Sequence, residues 1–136
     1  MIYDAESADA VEDDLDGLSE DEVALYLALI DTIWDSEQVR QRLSESQFQH
    51  IPHPSFDTMA IGAWVAISFN ICRIKPRTIE GALSQHRMIY GVDHRDPRIV
   101  LLGIMPRSDG YSTTSSFGQR LRQDYAGHHI PFIHRH

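Results

Sequence analysis

The sequence predicts an α+β fold, with an N-terminal helical hairpin packed on a small sheet and a C-terminal helix closing the chain. Three observations predict it. Residues 69–111 read as three consecutive strands divided by turn signals. Residues about 6–45 carry helix start signals followed by apolar positions at helical spacing. Phe117, Leu121 and Tyr125 then recur every four residues near the end. The 136 residues are expected to form one domain, with the hairpin over about 6–45, the sheet over about 58–111 and the terminal helix over about 116–126.

In chain order, residues 1–4 are too few to decide on a short edge strand. Ser7 is placed to cap a first helix through about Leu15, with Ala8, Val11 and Leu15 on one stripe and Gly17 as its stop. Ser19-Glu-Asp-Glu22 has the form of a capping box, with its acids at the positive end of a second helix. That helix runs to about Trp34, and Val23, Leu27, Ile30 and Trp34 sit at helical spacing. Leu25 and Leu29 widen the stripe, so the helix is expected to pack against the sheet. Residues 36–43 continue in a shorter helical piece, and the hairpin lies on one sheet face. Residues 44–57 are polar and broken by Pro52 and Pro54, which reads as a connector. Residues 58–68 fit either a strand or a short buried helix.

The strands are expected at 69–75, 86–92 and 98–105. Pro76 and Pro106 mark two of the ends, because proline has no N–H to give a ladder. The third strand, IVLLGIM, is apolar throughout, as a central strand covered on both faces would be. By the two-residue strand period, Ile71, Arg73 and Lys75 share a face. Arg87 opens the second strand and Arg107 follows the third, so arginines gather at strand ends. Ser116 then caps the terminal helix, on which Arg120 and Arg122 face away from the apolar stripe as a solvated surface. A His-rich tail, HHIPFIHRH, ends the sequence.

Hydrophobic residues make up 42% and charged residues 24%, the balance of a globular protein. No run approaches the roughly 18 apolar residues of a membrane span. The opening MIYDAESADAVEDD is acidic where a signal peptide is basic, and Cys72 has no partner cysteine, so a cytoplasmic location is expected. Cys72 reads as a small buried hydrophobe. The net charge of −8 conceals an asymmetry. Residues 1–60 hold fifteen acids against two arginines, or −13, while residues 61–136 hold five acids against ten basic residues, or +5. Nine of those ten are arginine, whose planar fork suits phosphate. A phosphate-bearing or acidic partner for the basic half is the expectation. The pairs His128–His129 and His134–His136 lack Cys or carboxylate at ligand spacing, so neither a metal nor any other cofactor is expected.

The ordered set ICRIKPR, HRMIY and VLLGIMPRSDGY, between a helical hairpin and a closing helix, resembles the RelE/ParE superfamily of toxins from type II toxin–antitoxin pairs. The match covers residues 69–125, and the helical half agrees in type only. The resemblance implies a RelE-like fold with a mostly antiparallel sheet. It implies a ribosome-dependent, metal-independent endoribonuclease that cuts messenger RNA, partnered by the ribosome, the mRNA and a cognate antitoxin. Carried over residue by residue, Arg73, Lys75 and Arg77 would line the phosphate, and Arg87 and Arg107 would stabilise the transition state. Tyr111 would stack on a base or move a proton, and His134 and His136 are acid–base candidates. Three features depart from the family pattern: the acidic net charge, Pro106 before Arg107, and the long connection 76–85.

Each assignment has a plainer reading. Arg87 could pair with an acid of the hairpin, Tyr111 could be a rim aromatic, and Tyr90, facing opposite Arg87, belongs to the core. Two alternatives to the nuclease stay open: a non-catalytic toxin of the same fold that inhibits DNA gyrase, and a domain that binds RNA or an antitoxin without cutting.

Overall fold

The computed structural model describes residues 2–45, 51–77, 84–106 and 108–133, with the side chains of residues 51 and 52 excepted. It has the predicted α+β architecture: a six-stranded sheet, mostly antiparallel, carries a helical hairpin on one face and the C-terminal helix on the other. The elements are β1 (Asp4–Ser7), α1 (Ala10–Asp16), α2 (Glu20–Asp35), α3 (Glu37–Glu45), β2 (Ile51–His53), β3 (Phe56–Ala60), α4 (Gly62–Val65), β4 (Ile71–Pro76), β5 (Arg87–Asp93), β6 (Arg98–Met105) and α5 (Ser116–Gly127). The strand order is β1-β6-β5-β4-β3-β2. Strands β2 to β6 form an antiparallel meander, and β1 joins β6 in parallel, Asp4 opposite Arg98.

Strand alternation, shifted by one residue in β6 where the pairing with β5 skips Leu102, sorts the apolar residues into two layers. Cys72, Ile74, Met88, Tyr90, Val92, Ile99, Leu101 and Ile104 face the hairpin, where Tyr26, Leu29, Ile33, Val39 and Leu43 meet them. Ile71, Ile89, Val100, Leu102 and Met105 face α5, against Phe117, Leu121 and Tyr125. Strand β6 is therefore covered on both faces, as its unbroken apolar run requires. Cys72 lies in the first layer, and burial pushes its thiol up to about 12. Tyr90 is fully buried there and donates its O–H to the Leu43 carbonyl at 2.9 Å.

Several local expectations are corrected. Ser7 ends β1 and does not cap a helix; α1 begins three residues later. On α2 the core face is Tyr26, Leu29 and Ile33, while Leu27 and Trp34 are 46% and 41% exposed. The stripe read from the sequence lies about a quarter-turn around the helix from the one that packs. The supposed connector 44–57 contains β2 and the start of β3, with residues 46–50 outside the described set. The proline in β2 is accommodated because this is an edge strand. The ambiguous segment 58–68 divides, giving the end of β3 and then the one-turn α4, whose Trp64 is buried against Phe69. The cap of α5 is Ser115, whose hydroxyl accepts the Gly118 N–H at 3.0 Å.

Two arginines hold the layers together. Arg40, 8% exposed, donates to the carbonyls of Ile33 at 2.8 Å and Trp34 at 2.7 Å, and to Tyr3 at 2.5 Å. Its charge thus satisfies two of the free carbonyls that end α2 and fixes β1 beside them. Arg120 is not the solvated residue the sequence suggested. Strand β1 stops pairing at Leu101, so the Ile104 N–H on that edge is taken by Asp14 of α1, at 2.8 Å. Arg120 grips the same carboxylate at 2.6 and 2.8 Å, joining α5 to α1 around the sheet edge. The bridge crosses directly over Gly103, where a Cβ would collide with the guanidinium. Arg122 does stay at the surface, over the rings of Trp64 and Phe69.

Candidate functional site

Helix α5 covers only part of its sheet face. The remaining part, at the end where β4 stops and β5 begins, is built from residues the strand period turns to that side: Asp57 and Met59 of β3, Arg73 and Lys75 of β4, and Arg87 of β5. Asp57 stands opposite Lys75, Met59 opposite Arg73, and Arg87 opposite Met105. Arg73 is 9% exposed and lies 3.8 Å from the Asp57 carboxylate and 3.9 Å from the Met59 sulfur. Burial lowers the Lys75 pKa, and the positive charges of Arg73 and Arg87 lower it further against a smaller opposing pull from Asp57. Three cations in one another's fields, one of them pushed toward release of its proton, are an arrangement that binding anions or moving protons explains better than packing does.

Among the described residues, Arg87 forms no ion pair with an acid of the hairpin. One guanidinium nitrogen donates to the carbonyls of Ser84 at 2.6 Å and His86 at 2.9 Å, so the side chain curls back over its own turn. That turn is pinned from the other side by α2. His86 Nδ1 lies 2.6 Å from Glu22 Oε2, the Ser84 hydroxyl points to Glu22 Oε1 at 3.4 Å, and the Tyr26 phenol is 3.2 Å from the Ser84 hydroxyl. Burial holds the Tyr26 phenol well above its ordinary value, and Glu22, Arg87 and Tyr111 are close enough to be felt there. The Ser19 side of the capping box is present, its hydroxyl accepting the Glu22 N–H at 3.3 Å. The Glu22 carboxylate is turned to His86 and Ser84.

Tyr111 is half-buried at the rim, packed against the layer under α5, and its φ of 65° follows the same value at Gly110. A left-handed backbone at a tyrosine costs roughly 1 kcal/mol or more. Arg77 is exposed and lines a groove of about 200 Å³ with Leu25, Ala28 and Thr32 of α2. Arg107, His134 and His136 lie outside the described residues. The geometry thus brings together Arg73, Lys75 and Arg87, with Tyr111 near the same end, and adds Glu22, Tyr26, Asp57, Ser84 and His86. Sequence reading missed these five. Glu22 was accounted for as a helix-start acid, and only the fold carries α2 to the beginning of β5. His86, immediately before Arg87, was the one signal available.

Among the described residues, no group of three or more His, Cys, Asp and Glu gathers where a metal ion could be held, and no helix is long and apolar enough to cross a membrane. No protein-family model matches the sequence. No curated protein matches it either. Solved structures do resemble the fold. An archaeal RelE–RelB complex from Pyrococcus horikoshii OT3 contains a chain 20% identical, with a TM-score of 0.43 over 82% of this chain and all of that one. The toxin–antitoxin complex RelBE2 from Mycobacterium tuberculosis contains one 14% identical, with a TM-score of 0.40 over 76% of this chain and 96% of that one. Likeness at this level leaves the activity to be argued from the chain's own residues.

Proposed function

We propose that this protein is the toxin of a type II toxin–antitoxin pair and cuts messenger RNA on the ribosome. The observation that carries the reading is the cationic end of the sheet, where Arg73, Lys75 and Arg87 share a face that α5 leaves open. The motif resemblance of residues 69–125 adds Arg107 and Tyr111 to this set.

The chemistry is attack of a ribose 2′-oxygen on the adjacent phosphorus, with the 2′-hydroxyl proton released to solvent water. An O–P bond forms, the bond to the 5′-oxygen breaks, and a 2′,3′-cyclic phosphate is left. Extra negative charge develops on the phosphoryl oxygens, and guanidinium groups placed there stabilise it. Arg87 offers the N–H groups that its turn does not use, Arg73 adds charge on the same face, and the motif resemblance gives Arg107 the same role. Lys75, its pKa lowered, gives a proton to the leaving 5′-oxygen. Tyr111 orders a neighbouring base by stacking. Arg77 is assigned to RNA contact, and His134 and His136 are kept as acid–base candidates. The acidic hairpin turns outward, and a cognate antitoxin supplies acids to the same cationic end.

The test is expression alone, followed by sequencing of message ends. Growth arrest with new cyclic-phosphate ends inside translated frames, relieved by the partner gene, is the expected result. Growth arrest with intact messages and blocked gyrase supercoiling would replace the reading by a non-catalytic toxin. Harmless accumulation of folded protein would remove the toxin altogether.

A further inference from the structure

The proposed reaction makes no use of Glu22 and His86, which lie 2.6 Å apart where the hairpin touches the candidate site. We infer that these two are positioning residues, which lock the turn at residues 84–87 and thereby aim the Arg87 guanidinium. The consequence for cleavage rests on the nuclease reading; the positioning itself does not.

The side chains of Ser84 and His86 lead to α2, and their carbonyls lead to Arg87. One guanidinium nitrogen of Arg87 is held by the carbonyls of Ser84 and His86, at 2.6 and 2.9 Å. The Ser84 hydroxyl accepts the His86 N–H at 3.1 Å and gives its single proton toward Glu22 at 3.4 Å. A hydroxyl has one proton and two lone pairs, so the Tyr26 phenol, 3.2 Å away, must be the donor to it. His86 Nδ1 meets the second Glu22 oxygen at 2.6 Å. One carboxylate therefore faces the side chains of both Ser84 and His86, and it stands on a helix whose next turn carries the fully buried Tyr26. Ser84 is itself buried, and its N–H reaches the Pro76 carbonyl at 2.8 Å, at the end of β4. The two carbonyls that grip Arg87 are thus fixed to both α2 and β4. Without Glu22 the turn keeps only the Tyr26 link to α2, and without His86 the His86 carbonyl loses its side-chain anchor there. Arg87 would then sample many rotamers, and it would have to be ordered anew by each substrate.

The experiment is NMR of the full-length protein, reading the Arg87 side-chain Nε–H, assigned by its loss in Arg87→Lys. In the wild type the signal should be dispersed and rigid on the nanosecond scale. In Glu22→Ala and His86→Ala it should collapse to the averaged position of a mobile arginine. In His86→Asn, whose amide N–H can replace Nδ1–H, it should stay rigid. Should Glu22→Ala fail to fold, Glu22→Gln removes the charge facing His86 with little change of shape. An Arg87 signal that stays rigid in both Glu22 and His86 variants overturns the inference.

Single-turnover cleavage then separates this idea from the nuclease reading. His86→Ala should slow the step about tenfold or more with KM little changed, and His86→Ala in an Arg87→Ala background should slow it no further. Intact message with a coupled NMR signal removes the nuclease and keeps the latch. Cleavage with fully multiplicative losses keeps the nuclease and removes the latch.

Discussion

At the residue scale the decisive group is Lys75. Its pKa is lowered by burial first and by the charges of Arg73 and Arg87 after that. The folded chain therefore holds this proton less tightly than the unfolded one. The charged form costs stability at neutral pH, and that cost disappears as pH rises past the folded value. For a proton donor to an alkoxide the same shift is useful, since a weaker hold on the proton brings it closer to the operating pH. Removing a neighbouring cation must raise the pKa, and removing the neighbouring acid must lower it. Arg73→Ala should accordingly move the alkaline limb of the cleavage profile to higher pH, and Asp57→Asn should move it to lower pH. The check is the single-turnover rate against pH. A limb that stays in place in both variants would mean that Lys75 does not donate the proton. Arg120 belongs to this scale too. It is bidentate on the Asp14 carboxylate that also caps the Ile104 N–H, so Arg120→Ala should cost roughly 1–3 kcal/mol in chemical denaturation.

At the element scale, α2 does two jobs, supporting the hairpin-side core and carrying Glu22 and Tyr26 to the site. Ile33→Ala should cost about 2–5 kcal/mol by opening a cavity in that layer. Trp34→Ala, one residue on and outward, should cost under about 1 kcal/mol. Equal losses for the two would put the helix in the wrong rotation. The sequence could not decide this, because α2 has apolar side chains around more than half its circumference, and periodicity then admits two faces. The strands were more legible. Strand β6 was bounded at both ends by its apolar run and Pro106, and β4 and β5 within one or two residues. Strands β2 and β3 were hidden, since a three-residue strand containing Pro52 has no local signal; pairing with β3 makes it, and β3 in turn pairs with β4. The same division holds at the site. Arg73, Lys75 and Arg87 follow from strand period and strand ends, whereas Glu22 and His86, 64 positions apart, meet only because α2 lies across the start of β5.

At the scale of the whole molecule, charge and topology agree. The residues of the −13 half build β1, the hairpin and the β2–β3 edge, and the +5 half supplies most of the sheet and α5. An antitoxin covering the cationic end with acids should associate at a rate that falls steeply with salt, while its dissociation changes little. Stopped-flow mixing at several ionic strengths measures this, and an association rate indifferent to salt would remove the electrostatic part of the account. The central claim is that Arg87 stabilises charge on a phosphate being cut. It is tested most directly by single-turnover cleavage of a short message on programmed ribosomes, comparing wild type with Arg87→Ala and recording thermal melting of both. The account predicts cleavage by the wild type and a loss of about a hundredfold or more in the variant, near 3 kcal/mol of transition-state stabilisation, with melting little changed. Message left intact by the wild type, or cut at the normal rate by a folded Arg87→Ala, would contradict it.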